Sequence, residues 1–298
     1  MLSVGHRALY VARNPGTFCL RVLRAFRINQ ALLLAGAIAY YTLLSLVPML
    51  ILILIALSGI IDRNALLATL GRYLEWFIPG QAGAVIGELA RFLDHRGTVG
   101  WALLATMVFS SSIAFTVLEN AMAVIFLHRT AARRRHFLIS AIIPYAYIMF
   151  LGTGLLLMTV VSSLFQAVGA DSIVFLGVSW SLHGISGVLL YLLGLFGEVF
   201  VLTSIYLVMP VGPLSWRHAL IGAVTATLLW EITRHALVWY FATLSGVNVV
   251  YGSLATSIVV LASLDFASTI LLLGAQVVAE YERIGAEAEN TPAPAFRP

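Results

Sequence analysis

Four acidic side chains, Glu119, Glu198, Glu231 and Asp265, fall inside long apolar runs of the chain. A charged group at bilayer depth costs about 2.5–3.5 kcal/mol on insertion scales, so each needs a partner or a wet cavity. Their helical neighbours are small or polar. Ser112, Thr116 and Glu119 follow one another at spacings of four and three, with Asn120 beside them. Gly187, Tyr191, Gly194 and Glu198 share a second face, and Thr227, Glu231, Arg234 and His235 a third. Asp265 and Ser268 align with Leu261 and Leu272, and Gln276 lies further along the same helix. Several acids among hydroxyl and amide oxygens form a donor set for a hard cation or a proton. Glu119, Asn120, Ser112, Asp265 and Ser268 are the expected donors, with Na⁺ as the candidate metal at Glu119 and Asp265. Arg234, restrained by Glu231, suits an anion such as chloride or an organic acid. In the competing structural reading, Glu231 and Arg234 lie three apart and cancel charge within their own helix.

The elements that hold these residues are membrane helices. Of 298 residues 61% are hydrophobic and only 10% charged, and the mean hydropathy is +0.98. A soluble domain carries about 25% charged residues, so this chain could not cover its surface in water. An apolar run of about 20 residues crosses a hydrocarbon core roughly 30 Å thick. Six such runs stand at 31–60, 98–127, 137–164, 181–209, 219–244 and 250–279. The first contains AYYTLLSLVP at 39–48, a polar stretch broken by Pro48. A mid-helix proline frees a backbone carbonyl that must be satisfied at depth. Tyr41 and Ser45 of this stretch, with Glu198, complete the candidate site.

The expected architecture is an all-α, polytopic bundle of six transmembrane helices. Residues 1–29 form a basic amphipathic arm, 30–282 the membrane domain, and 283–298 a flexible cytoplasmic tail. Phe18, Val22 and Phe26 recur every four residues in the arm, which fits an amphipathic helix on an anionic membrane face or a solvated arm. Residues 61–97 read as two amphipathic helices divided at Pro79-Gly80, a lid on the outer side. All 17 basic residues are arginine. With both termini in the cytoplasm, the arginine-rich arm, the run HRTAARRRH at 128–136, Arg217 and the tail are inside, as the positive-inside rule demands. Topology accounts for the net charge of +4, so no nucleic-acid partner is expected. The partners implied are the lipid bilayer and a small ion or solute, with a homodimer left open.

Enzyme chemistry is not expected. Cys19 is the only cysteine, the seven histidines form no HExxH pattern, and there is neither a phosphate loop nor a Gly-x-Ser-x-Gly elbow. No cofactor is implied.

AYYTLLSLVP (39–48), LLWEITR (228–234), YGSLA (251–255) and LLLGAQ (271–276) together resemble the YihY/virulence factor BrkB family, once labelled ribonuclease BN-like. The resemblance covers roughly 31–283 and implies a six-span, all-helical, multi-pass protein of the bacterial inner membrane. The ribonuclease label does not fit these residues. Ser263, Asp265 and Ser268 stand where the family usually carries aromatics. Gln276 replaces a usual glutamate, and Leu207 a frequent arginine.

The leading expectation is a secondary transporter that moves a small ion or solute coupled to Na⁺ or H⁺. The alternatives are a lipid or envelope-component flippase or carrier, and a non-transporting membrane scaffold.

Overall fold

The computed structural model describes residues 11, 13–77, 80–94, 101–127, 137–169, 173–175, 178–180, 183–210, 214–243 and 255–290. Among these residues nine helices follow in order: α1 (Pro15–Ile28), α2 (Ala31–Leu57), α3 (Arg63–Phe77), α4 (Ala82–Asp94), α5 (Trp101–Ile125), α6 (Phe137–Gly169), α7 (His183–Val208), α8 (Trp216–Thr243) and α9 (Ala255–Asn290). The fold is helical, with one small addition that hydropathy does not reveal. Strands β1 (Ile173–Phe175) and β2 (Val178–Trp180) pair antiparallel, Ile173 opposite Trp180. The basic run 128–136 lies outside the described residues.

Length and composition let the windows Val108–Ile125, Tyr191–Val208 and Ile258–Ile284 cross a membrane. These lie in α5, α7 and α9, and a fourth crossing is added if the bent pair Pro15–Ile28 and Ala31–Leu46 is counted as one. Among the described residues, length and composition thus support three or four of the expected six. The helix α8 is not among them, because Glu231, Arg234 and His235 lower its hydropathy.

The helix α9 is the central strut, packing against α1, α2, α5 and α8, while α7 pairs with α8. One core forms where these helices meet, around Ala31, Ala35, Met122, Tyr206, Ala219 and Leu272. A second joins α3 and α4 to the far half of α2, with Leu66, Leu70 and Leu89 packed near Leu50, Leu54 and Leu264. Asp62 starts α3 by accepting hydrogen bonds from the backbone N–H groups of Asn64 and Ala65 at 2.9 and 3.1 Å. That is the usual N-cap device for otherwise orphaned donors.

Between α1 and α2 the chain bends by 65°. Gln30 makes the turn with a left-handed backbone, φ 50°, a conformation that non-glycine residues adopt at some cost. Two residues of the stripe Phe18, Val22 and Phe26 turn onto the bundle. Val22 and Ala25 are buried, Phe26 joins the first core, and α1 rests on α9.

Candidate functional site

The charged centre of α8 is built from local geometry first. Residues three and four apart lie on one helix face, and Arg234 Nη2 donates to Glu231 Oε2 at 2.7 Å. His235 Nδ1 donates to the Glu231 backbone carbonyl at 2.7 Å and lies 3.7 Å from the carboxylate. The neighbouring helix then closes the cluster: the Tyr191 hydroxyl of α7 donates to Glu231 Oε2 at 3.0 Å. The Glu231 and Arg234 side chains are only 14% and 16% exposed. Glu198, also on α7, faces Glu231, Arg234 and Thr227. This cluster gathers three of the expected residues, Glu198, Glu231 and Arg234, into one α7–α8 joint.

A second cluster, which charge spacing along single helices does not reveal, lies where α9 passes the α1–α2 bend. Asn29 Nδ2 donates to Gln276 Oε1 at 2.9 Å, and Gln276 Nε2 donates to Glu280 Oε1 at 3.3 Å. Arg283 Nη1 donates to the same Glu280 oxygen at 2.9 Å. Gln276 is 1% exposed and Glu280 5% exposed, so the middle of the ladder is internal, with Asn29 half-buried at one end and Arg283 exposed at the other. Beside it, His218 of α8 reaches Glu282 Oε1 at 3.4 Å and sets its ring edge-on to Tyr281 at 5.2 Å. The signal available in the sequence was the run Gln276, Glu280, Arg283 at helical spacing, together with a lone Asn-Gln pair at 29–30. Gln276→Leu is expected to remove about 2 kcal/mol of stability, because Asn29 and Glu280 each lose a buried partner. The midpoint of unfolding in detergent should fall, and trypsin should cut faster at Arg24 and Arg27 as α1 loosens.

The remaining expected residues are dispersed. The Ser45 hydroxyl donates to the Ser110 carbonyl at 2.6 Å and ties α2 to α5. Ser112 donates to the Phe109 carbonyl of its own helix at 2.8 Å. Asn120 is exposed and Glu119 half-buried on α5. Asp265 lies against α2, its Oδ1 3.7 Å from the position of a Cβ on Gly36. Ser268 is buried on α9, and Tyr41 packs edge-on against Tyr40 at 5.2 Å. Among the described residues no three His, Cys, Asp or Glu side chains come together to hold a metal ion.

These features define a multi-pass helical membrane protein whose internal polar groups join helices. The family model for Virulence factor BrkB matches residues 22–298. The chain belongs to that family, and it is a multi-pass protein of the bacterial inner membrane. Its relatives include a UPF0761 membrane protein of Aeromonas salmonicida, 27% identical over 94% of this chain and 95% of its own length. Others are UPF0761 membrane proteins of Aggregatibacter aphrophilus, 23% identical over 91% and 94%, and Haemophilus influenzae, 23% identical over 92% and 98%. No solved structure matches the chain.

The expectation of a secondary transporter coupled to Na⁺ or H⁺ is corrected by these findings. The family is described as Virulence factor BrkB and the relatives as UPF0761 membrane proteins, and neither description carries ion or solute coupling. The oxygen donors assigned to Na⁺ are distributed as described, with Ser112 turned onto its own helix and Asn120 facing outward. A small-molecule substrate and a homodimer likewise have no support in the matches.

Proposed function

We propose that the chain is a non-transporting, non-enzymatic structural protein of the inner membrane. In this reading its six apolar runs cross the bilayer with both ends in the cytoplasm. The observation that carries it is the use of internal polar side chains as ties between helices, above all Tyr191–Glu231–Arg234 and Asn29–Gln276–Glu280. A transporter working by alternating access must populate two arrangements of its bundle. Cross-helix hydrogen bonds of this kind favour one arrangement, since buried polar groups left without partners are costly. A rigid bundle can instead present the α3–α4 face outside and the arginine-rich face inside to other envelope components.

The test joins two measurements on reconstituted protein. Spin-label distances between α4 and α9 are expected to show one population with and without Na⁺ and between mildly acidic and neutral pH. Sealed proteoliposomes should pass Na⁺, H⁺ and Cl⁻ no faster than empty vesicles. A second distance population that answers to the ion, or flux above the empty-vesicle rate, would overturn the reading.

A further inference from the structure

We infer that the outward face of α1 is a docking surface for the anionic inner leaflet of the membrane. The helix is anchored on its other side. Val22 and Ala25 are buried, and Asn29 at its end is hydrogen-bonded to Gln276 of α9 at 2.9 Å. Its direction is therefore fixed relative to the bundle, not left to the bilayer. Spanning helices tilt by about 20° on average, so a 65° bend from α2 turns α1 toward the membrane plane.

The face turned away from α9 carries Leu20, Leu23, Arg24 and Arg27, one stripe at spacings of three and four. Leu20 is 67% and Leu23 49% exposed, and both arginines are exposed. Among the described residues neither Arg24 nor Arg27 has an ion-pair partner. Apolar side chains interleaved with guanidinium groups match the headgroup boundary, where leucine enters the acyl region and arginine turns up to phosphate. The leaflet is favoured over a second copy or a peptide by continuity. Leu32 and Leu33, just past the bend, are exposed on a helix that enters the bilayer. Each arginine near an anionic surface contributes about 1 kcal/mol, so the pair favours an anionic over a neutral leaflet by roughly 30-fold.

Cys19 is the only cysteine of the chain and is exposed on α1, so a spin label can be placed there without substitution. The test uses the full chain, one copy per lipid nanodisc. Replacing about one-third of phosphatidylcholine by phosphatidylglycerol is expected to lower label collisions with a water-soluble nickel chelate about threefold. R24Q/R27Q should abolish the drop and R24K/R27K should keep it. On the unmodified chain, about 0.5 M NaCl should remove it, because exposed charges are screened within a few ångströms at that salt. This salt arm stands even if R24Q/R27Q fails to fold. Equal accessibility in both lipid compositions, or a drop indifferent to salt or surviving R24Q/R27Q, would overturn the inference. So would equal protection by inorganic phosphate in pure phosphatidylcholine discs, which would make the site one for free phosphate. Protection that requires two copies per disc would assign the face to self-association and overturn it as well.

Discussion

Gly274→Leu is expected to leave no monodisperse folded protein, and Gly274→Ala to lower stability by about 3 kcal/mol. At this point α8 and α9 cross in near backbone contact. A Cβ on Gly274 would lie 2.9 Å from both Ala226 Cβ and the Gly222 carbonyl oxygen, and would also meet the Tyr206 hydroxyl. The relation is mutual, since a Cβ on Gly222 would stand 2.8 Å from the Gly274 carbonyl and meet Val278 Cγ2. Backbone carbonyls of two packed helices cannot yield as a flexible side-chain end can. Tyr206 of α7 fixes the crossing from the third side, its hydroxyl donating to the Leu271 carbonyl at 2.8 Å. Small residues let membrane helices approach closely, and here packing rather than hydrophobicity must hold them together. Gly154→Ala in α6 is the control. Its Cβ meets nothing within 4 Å, and relief of glycine's helix penalty should stabilise by roughly 0.5–1 kcal/mol. Unfolding midpoints in detergent, read beside elution profiles, separate the three variants.

The helices were legible because a membrane leaves the backbone few choices: each crossing segment must satisfy its own hydrogen bonds. Thus the apolar run 98–127 contains the helix Trp101–Ile125. The Glu231–Arg234 pair was legible too, since its geometry is local to one helix. Tyr191 and Asn29 were different. Their partners are 40 and 247 residues away, and partner choice between helices depends on rotation and depth that periodicity does not encode. The stripe Phe18, Val22 and Phe26 shows a second limit. Lipid and a neighbouring helix are equally apolar, so an apolar stripe cannot say which of them it meets. The Gly222–Gly274 crossing had a signal in the small residues Ala219, Gly222, Ala223 and Ala226, without a charge to mark it as important.

The expected cation donors meet the same limit of single-helix reasoning. Donors were grouped by shared helix faces, whereas coordination requires convergence across helices within ångströms. The Ser45 and Ser112 hydroxyls are instead taken up by backbone carbonyls, at 2.6 and 2.8 Å. A polar face is therefore compatible with a tie between helices as well as with a binding site, and only the cross-helix partners distinguish the two.

Arg234→Gln is expected to destabilise the protein by about 3 kcal/mol, in the range for breaking one side of a buried ion pair. Without Arg234, Glu231 Oε2 keeps the Tyr191 hydroxyl as its hydrogen-bond donor among the described residues, with His235 Nδ1 3.7 Å away. Its Oε1 is already buried and without a hydrogen-bond partner among the described residues. Glu198 faces the same carboxylate from α7, so loss of the guanidinium leaves two acids opposed in a low-dielectric joint. Glu231→Gln should also destabilise, by removing the carboxylate that accepts from Arg234 at 2.7 Å, but by less, because Glu198 still faces the guanidinium. The double variant, Glu231→Gln with Arg234→Gln, removes both charges and should cost about 2 kcal/mol less than the sum of the single changes, the coupling expected for groups in direct contact. Arg234→Lys should recover only part of the loss, because an ammonium supplies charge without the planar donor pair. The four unfolding midpoints also bear on function. If the tie is structural, destabilisation will be independent of Na⁺ and chloride. A double variant as unstable as the summed singles would show that Glu231 and Arg234 act separately, and the α7–α8 joint would then need another basis.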